Sequence, residues 1–413
     1  MVHGVNQNPD GNAVPRLAAI ILAAGYSSRM GQFKPLLSVG NCTAVEAVVR
    51  MFVSAGVSDV WVVLGHRADE LRPVVESLGA RCVINPNYDL GMFSSVKAGI
   101  AGLPKGTEAC FITPVDIPLV RAGTVRRLAR CFAETRKEII YPVFNKRRGH
   151  PALVSRAILA EVGEAPMDAW LSTVLGAHQT QSYELFVPDE AIHWDMDTPE
   201  ELARIRDCAA RREVPSPEEC EAILEEFQPD DRVARHSRAV AQVAHRLAVA
   251  LAERGVQVEP ALVQAAGLLH DVAKGKPEHA EAGARLLREL EFAKVADLVG
   301  AHTDYRFAQS KLDEAAIVYL ADKLVSGERL VGLEQRFKRS RERFQGNSEA
   351  LASASRRCQT AEAIAREVEG RLGTGLQQLF GDLADSTAQS SQLSSVDQGL
   401  EPRGCDGIRL SRQ

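Results

Sequence analysis

"LAAIILAAGYSSRMGQFKPL", residues 17–36, is the stretch that decides the fold. Eight apolar residues with no polar interruption have the length of a strand buried on both faces, and they stop at a glycine. In an open parallel sheet, ligands sit beyond the carboxyl ends of the strands, and the first strand-to-helix loop commonly carries phosphate. Gly25 lets the backbone approach an anion, Ser27 and Ser28 offer donors, and Arg29 and Lys34 supply two cations on one loop. The loop reads as a cradle for a polyanion, against the plainer reading of a polar turn that ends a strand.

Outward from this loop, "SDVWVVLG", "ARCVIN", "EACFITPVD" and "EIIYPVF" also have strand length, and residues 43–55, 67–78, 94–102 and 122–136 between them have helical composition. The alternation predicts an α/β domain over residues 17–210, with a mostly parallel sheet covered by helices. Residues 1–16 are polar and predict a flexible tail. A linker is expected at 211–217, where "REVPSPEE" carries two prolines and Ser216–Pro217 reads as a helix start. From there to about Phe380 the periodicity is helical, with no strand expected, and one helix is expected from about Ser348 to Phe380. Residues 385–413, rich in Ser and Gln, predict a disordered tail.

The 413 residues suffice for two or three cores. A net charge of −5 gives no basic excess to argue for nucleic acid or a membrane surface, so small molecules are the expected partners. No run reaches the ~18 apolar residues of a membrane span, and the eight cysteines are scattered singly, as reduced thiols are. A cytoplasmic protein is expected.

A second constellation supports the polyanion. "FITPVDIPLV" ends a strand at Asp116, and "IHWDMDTPEEL" places Asp195 and Asp197 just before the helix start Thr198–Pro199. Carboxylates on two loops suit Mg²⁺, which takes oxygen ligands and bridges phosphates, although an Asp at such a position also serves as a helix cap.

In order, "LAAGYSSRMGQFKPL", "TPVDIPLV", "GHPALV" and "WDMDTPEEL" resemble the molybdenum-cofactor nucleotidyltransferases, the MobA-like branch of NTP transferases, over residues 17 to about 207. The resemblance implies a Rossmann-like nucleotidyltransferase fold whose first loop holds the triphosphate. It assigns Ala23, Ala24, Gly25, Arg29 and Lys34 to the nucleotide loop, Asp116 to Mg²⁺ and the nucleotide, and Asp197 to the second metal-side carboxylate. "NPNYDLGMFSSVKAG" resembles the base-side segment, with Gly91, Met92, Ser94 and Ser95 matching, and Gly149, His150 and Pro151 match a loop near the acceptor. Ala24 makes the motif "LAAG", as in cytidylyl members, and so points to CTP.

Five of the ten histidines fall between 236 and 302. His236 lies early in a helix, His270 and Asp271 are adjacent at the end of an apolar helix, His279 and His302 follow, and Asp322 interrupts "EAAIVYLADKLV". An Asp among helical Ala, Leu and Val is costly to bury unless paired or bound to metal, and imidazole with carboxylate suits transition metals or a mixed Fe, Mn or Mg pair. The pattern resembles the HD superfamily of metal-dependent phosphohydrolases, an all-α domain placed at 218–335 and followed by a helical extension at 336–384. The resemblance implies His236, His270, Asp271 and Asp322 as core ligands, His279 and His302 as those of two-metal members, and Lys274 as the lysine that stabilises the phosphate. "LLHDVAKGKPEHAEAGARLL" is similar to bacterial HD-type diadenosine tetraphosphate hydrolases.

Together these expectations describe a cytidylyltransferase that moves CMP from CTP to molybdenum cofactor, fused to an HD phosphohydrolase, with an apo-molybdoenzyme of the xanthine dehydrogenase type as a natural partner. The alternative keeps a nucleotidyltransferase but gives it another phosphorylated acceptor, such as a sugar phosphate, with the HD half a non-catalytic nucleotide-sensing or interaction module.

Overall fold

The computed structural model describes residues 15–227, 230–303, 305–307 and 311–381. The chain divides into two compact units, one of residues 1–229 with 272–297, the other of 230–271 with 298–413. The expected tail at 385–413 lies outside the described residues, as do residues 1–14 of the expected N-terminal tail.

The first unit is built on strands β1 (Leu17–Ala23), β2 (Ser38–Val39), β3 (Cys42–Thr43), β4 (Asp59–Leu64), β5 (Arg81–Ile84), β6 (Ala109–Pro114), β7 (Ile139–Phe144), β8 (Arg147–Arg148), β9 (Ala152–Ser155) and β10 (Ser182–Phe186). Its helices are α1 (Ala44–Ser54), α2 (Ala68–Ser77), α3 (Met92–Gly102), α4 (Ala122–Thr135), α5 (Arg156–Glu164), α6 (Leu171–Gly176), α7 (Pro199–Ala210) and α8 (Pro217–Phe227), with α11 (His279–Glu289) later in the chain. Apart from the small β2–β3 pair, the strands form one sheet in the order β10-β7-β9-β6-β1-β4-β5, with β8 beside β7. β1 pairs in parallel with β4 and β6, β4 with β5, and β7 with β10. β9 is inserted antiparallel between β6 and β7, and the short β8 also pairs antiparallel with β7, so the sheet is mixed but mostly parallel, as expected. β9 and β10 were not expected as strands.

β1 is central, and its continuous apolar run follows from helices covering both faces. Ala19, Ile21 and Ala23 enter one core, while Ala18, Ile20 and Leu22 enter the other. Gly99 lets α3 press onto the sheet, since a Cβ there would stand 2.7 Å from Ile20 Cγ2. Because β1 and β6 run the same way, in register from Leu17–Ala109 to Leu22–Pro114, the loops that follow them emerge side by side.

The second unit is helical: α9 (Asp231–Glu253), α10 (Pro260–Leu269), the end of α12 (Ala293–Ala301), α13 (Glu314–Leu324), α14 (Leu333–Arg343), α15 (Ser348–Leu372) and α16 (Leu376–Leu379). Buried Val240, Ala244, Leu247 and Leu251 mark the inner stripe of α9 at helical spacing. Gly267 admits the backbone of α9, since a Cβ there would stand 3.0 Å from Ala241 Cα. The unit is helical, as expected, with one small addition: a two-residue antiparallel pair, β11 (Val325–Ser326) with β12 (Arg329–Leu330), where Gly327 at φ 63° lets the chain double back. One expectation is corrected. The helix from Ser348 stops at Leu372, where Gly373 adopts φ 70° and caps it with a bond from its N–H to the Glu369 carbonyl. Among the described residues no helix is long and apolar enough to cross a membrane.

Candidate functional site

The loop after β1 and the loop after β6 open into a cleft of about 550 Å³, lined by Ala23, Ala24, Gly25, Arg29, Lys34 and Asp116 among others. Ser27 turns the loop with φ 57°, and its Oγ accepts from the Lys34 N–H (3.1 Å). That bond holds the backbone from which the Lys34 side chain reaches inward. Lys34 Nζ donates to Asp116 Oδ2 (2.9 Å) and to Asp197 Oδ1 (2.5 Å), and Arg29 Nη1 donates to Asp197 Oδ2 (2.7 Å). Residues far apart in sequence thus meet as two cations and two carboxylates. Burial works against the Lys34 charge, but the Asp197 hydrogen bond and the Asp116 charge outweigh it and set its pKa above the usual lysine value. The same bond from Lys34 is the main cause that holds Asp197 below the usual carboxylate range.

Asp197 does not cap α7. Thr198 does, accepting from the Glu201 N–H in a capping box, and the Asp197 N–H donates to Glu201 Oε2 (2.9 Å). Its carboxylate therefore faces the cleft. Asp195 is largely exposed; the partial loss of water around its carboxyl, with the charges of Glu201, Asp197 and Asp116, raises its pKa. The Met196 N–H between them donates to the Asp116 carbonyl (3.1 Å), which ties the two carboxylate-bearing loops together.

On the other wall, Gly91 (φ 97°) starts α3, and Gly91, Met92 and Ser95 line the cleft. Ser94 is buried, its hydroxyl within bonding distance of the Asn87 and Gly91 carbonyls. Asn85 was missed by sequence reasoning. Buried at the end of β5, it donates to Ser94 Oγ (2.9 Å) and Ser95 Oγ (3.0 Å), so it fixes the start of α3. Tyr26 was missed too. It is 54% exposed, lines the cleft and lies against Tyr88 at 5.3 Å between ring centroids. A tyrosine one residue after the loop glycine, facing a second one before Gly91, was the available signal.

Gly149 has no space for a side chain, since a Cβ would meet Ile192 Cγ1 at 2.5 Å, and the His150 N–H donates to the Ile192 carbonyl (3.0 Å). The His150–Pro151 peptide is cis. His150 Nδ1 is buried without a hydrogen-bond partner among the described residues, and burial pushes the imidazole pKa down. The cleft lining itself does not include the Gly149–Pro151 loop.

The second unit carries a separate cluster. His236 Nδ1 meets the Gly327 carbonyl (2.9 Å), His270 Nδ1 the Gly267 carbonyl (2.8 Å) and His302 Nδ1 the Val299 carbonyl (2.6 Å). A carbonyl only accepts, so each Nδ1 carries a hydrogen and each Nε2 is turned to the carboxylates, the orientation that metal-ligating histidines adopt. His236 Nε2 is 3.2 Å from Asp322 Oδ1, and His270 Nε2 is 3.9 Å from it and 3.5 Å from Asp271 Oδ2. His302 Nε2 is 3.5 Å from Asp271 Oδ1. Single donor atoms of His236, His270 and Asp271 lie within 4.8 Å of one another. His270 Nε2 is buried and makes no hydrogen bond among the described residues. An orphaned imidazole nitrogen among buried carboxylates fits a metal. Burial opposes the Asp322 charge, but Lys323 beside it, with His236 and His270, sets its pKa well below the usual range. His279 is the half-buried first residue of α11, and Lys274 is exposed; both belong to the first unit.

The MobA-like NTP transferase domain matches residues 19–182, and the HD domain matches residues 233–327. The molybdenum cofactor cytidylyltransferase of Escherichia coli is 30% identical over 186 residues, 44% of this chain and 92% of that protein. The nicotine blue oxidoreductase of Paenarthrobacter nicotinovorans is 27% identical over 199 residues, 46% of this chain and 97% of that protein. A nucleotidyl transferase structure from Methanothermobacter is 24% identical with a TM-score of 0.43, over 48% of this chain and 99% of that one. With the glycine loop, the paired carboxylates and the histidine cluster in place, the chain belongs to the MobA-like NTP transferases and carries an HD domain after the transferase domain.

Proposed function

We propose that the first site transfers CMP from CTP to the terminal phosphate of molybdenum cofactor and releases pyrophosphate. The observation that carries this reading is the meeting of Arg29, Lys34, Asp116 and Asp197 where β1 and β6 end. Two carboxylates already converge on one ammonium, so the donor set fits a divalent cation at Asp116 and Asp197. When bound, Mg²⁺ would neutralise charge on the phosphoryl oxygens. Arg29 and Lys34 then face the triphosphate, and their charges oppose the negative charge that develops as the bond between the α-phosphorus and the bridging oxygen breaks. An acceptor phosphate oxygen forms the new bond. It is largely ionised at neutral pH and needs no general base. Gly25 and the loop N–H groups hold the phosphates, Gly91, Ser94 and Ser95 shape the base side, and Gly149, His150 and Pro151 serve the acceptor. Ala24 supports CTP over GTP, and an apo-molybdoenzyme of the xanthine dehydrogenase type would take the product.

For the second site we propose hydrolysis of a phosphoester or nucleotide. His236, His270, Asp271 and Asp322 would hold a transition metal such as Fe or Mn, with His302 and, on its sequence pattern, His279 as ligands of a second ion. Such an ion activates water toward phosphorus. Lys274 would meet the phosphate. The unpartnered His270 Nε2 supports this reading.

The test of the first site is pyrophosphate release with Mg²⁺, molybdenum cofactor and either CTP or GTP. CTP-dependent release that is lost in Asp116→Ala is expected. Preference for GTP would overturn the base assignment, and release only with sugar 1-phosphates would overturn the acceptor.

A further inference from the structure

The segment that joins the two family regions is stitched into the loop that leaves Asp116. Residues 117–120 run from Asp116 to the start of α4, with Ile117, Leu119 and Val120 buried. Arg212 lies beyond the matched transferase region, yet its guanidinium donates to the carbonyls of Leu119 and Val120, the latter at 2.7 Å. The stitch is reciprocal: Arg121 Nη1 donates to the Arg212 carbonyl (2.8 Å). Arg121 also pairs with buried Glu219 (3.5 Å) and lies over the Phe292 ring at 4.1 Å, while its N–H donates to Asp189 Oδ2 (2.9 Å). Lys294 pairs with Glu213 (2.9 Å) in the same joining segment.

A tether needs none of this, since a flexible chain connects two domains equally well. Burying several charged groups is costly unless their geometry is good, so the arrangement points to a task. On its other side the Asp116 carbonyl is held by the Met196 N–H. Asp116 therefore sits between two fixed points, Met196 beside Asp197 before α7 and Arg212 after it.

We propose that Arg212 is a positioning residue for Asp116, holding the loop after it so that its carboxylate faces Asp197 at the spacing that a divalent cation needs. The proposal rests on the reading of Asp116 as a metal-binding carboxylate. It also extends the support of the first site past α7 to Arg212, with Phe292 against Arg121 and Lys294 paired to Glu213.

The test uses the full chain and Arg212→Ala, with Arg212→Lys as a second variant that keeps a charged donor. Mn²⁺ binding that depends on CTP, taken as the difference between samples with and without CTP so that ions at the second site cancel, is followed by electron paramagnetic resonance, and pyrophosphate release is followed against Mg²⁺ concentration. In Arg212→Ala the half-saturating Mn²⁺ concentration should rise about fivefold and kcat should fall about tenfold, because small displacements of a reacting constellation are costly. The KM for CTP at saturating metal should stay within about twofold, since the nucleotide loop is untouched. Arg212→Lys should fall between the two, and it carries the test if Arg212→Ala does not fold. A folded variant with wild-type Mn²⁺ affinity and Mg²⁺ dependence would overturn the proposal, even if its melting temperature dropped. Wild-type chain that binds Mn²⁺ without turnover would overturn the substrate reading, and the difference in Mn²⁺ affinity would then decide the role of Arg212 by itself. Wild-type chain that binds no Mn²⁺ would overturn both.

Discussion

Lys34 is 9% exposed and shared by two carboxylates, so removing it leaves Asp116 and Asp197 facing each other, with Arg29 still paired to Asp197. Lys34→Ala is expected to lower kcat/KM by about a hundredfold, the scale of losing one preorganised electrostatic contact, as measured by pyrophosphate release. Lys34→Arg should not restore it, since a planar fork cannot occupy a place built for a point charge. Glu219 offers a test on stability. Burial, against the opposing Arg121 charge, pushes its carboxyl up to about 7 from the usual 4.5. An acid raised in the folded state binds its proton more tightly there than in the unfolded chain. Its contribution is fully present below pH 4.5 and is lost as pH rises through about 7. By linkage the loss amounts to about 3 kcal/mol. Urea midpoints at pH 5 and pH 8 should therefore lie closer together in Glu219→Gln than in wild type. Legibility at this scale follows chemistry. His270–Asp271 and Asp322 stand out because polar residues interrupt apolar helices, whereas Asn85 in "INPN" reads as an ordinary turn residue although it organises the start of α3.

Helix α7 aims Asp197 through its cap. Thr198→Ala removes the side-chain half of the capping box and should cost about 1 kcal/mol, read as a lower urea midpoint. It should also raise the Mg²⁺ concentration needed for half-maximal activity, because Glu201, held by that box, takes the Asp197 N–H. This cap was legible as Thr–Pro followed by acidic residues, and β1, β4, β5, β6 and β7 were legible as apolar runs bounded by turns. β9 was not. Four residues after "GHP" are too few for a periodicity to show, and their place between β6 and β7 is set by long-range pairing. β10 is an edge strand whose residues are all at least partly exposed, so it lacks the apolar run that marked the others. The end of α15 was missed for a different reason: "GTGLQQLF" resumes a helical pattern past Gly373, and only the left-handed φ of that glycine breaks it.

Across the whole molecule, the second site should reveal itself as bound metal. Full-length protein is expected to carry Fe or Mn, lost in His270→Ala or Asp271→Ala by elemental analysis, with Asp116→Ala unchanged in that metal. Chelation should lower the melting temperature, because an ion bound only by the folded chain stabilises it in proportion to occupancy. The sequence made both family regions legible but not the compact units, because periodicity reports local elements and not which distant segments pack together. The chain builds the first unit from residues 1–229, leaves it for 230–271, and returns for 272–297 before completing the second. Neither unit can therefore be released intact by a single cut. Synthesis runs from the amino end, so a nascent chain that ends at the joining segment is expected to lack Phe292 over Arg121 and Lys294 beside Glu213, and to leave that part of the first unit uncovered.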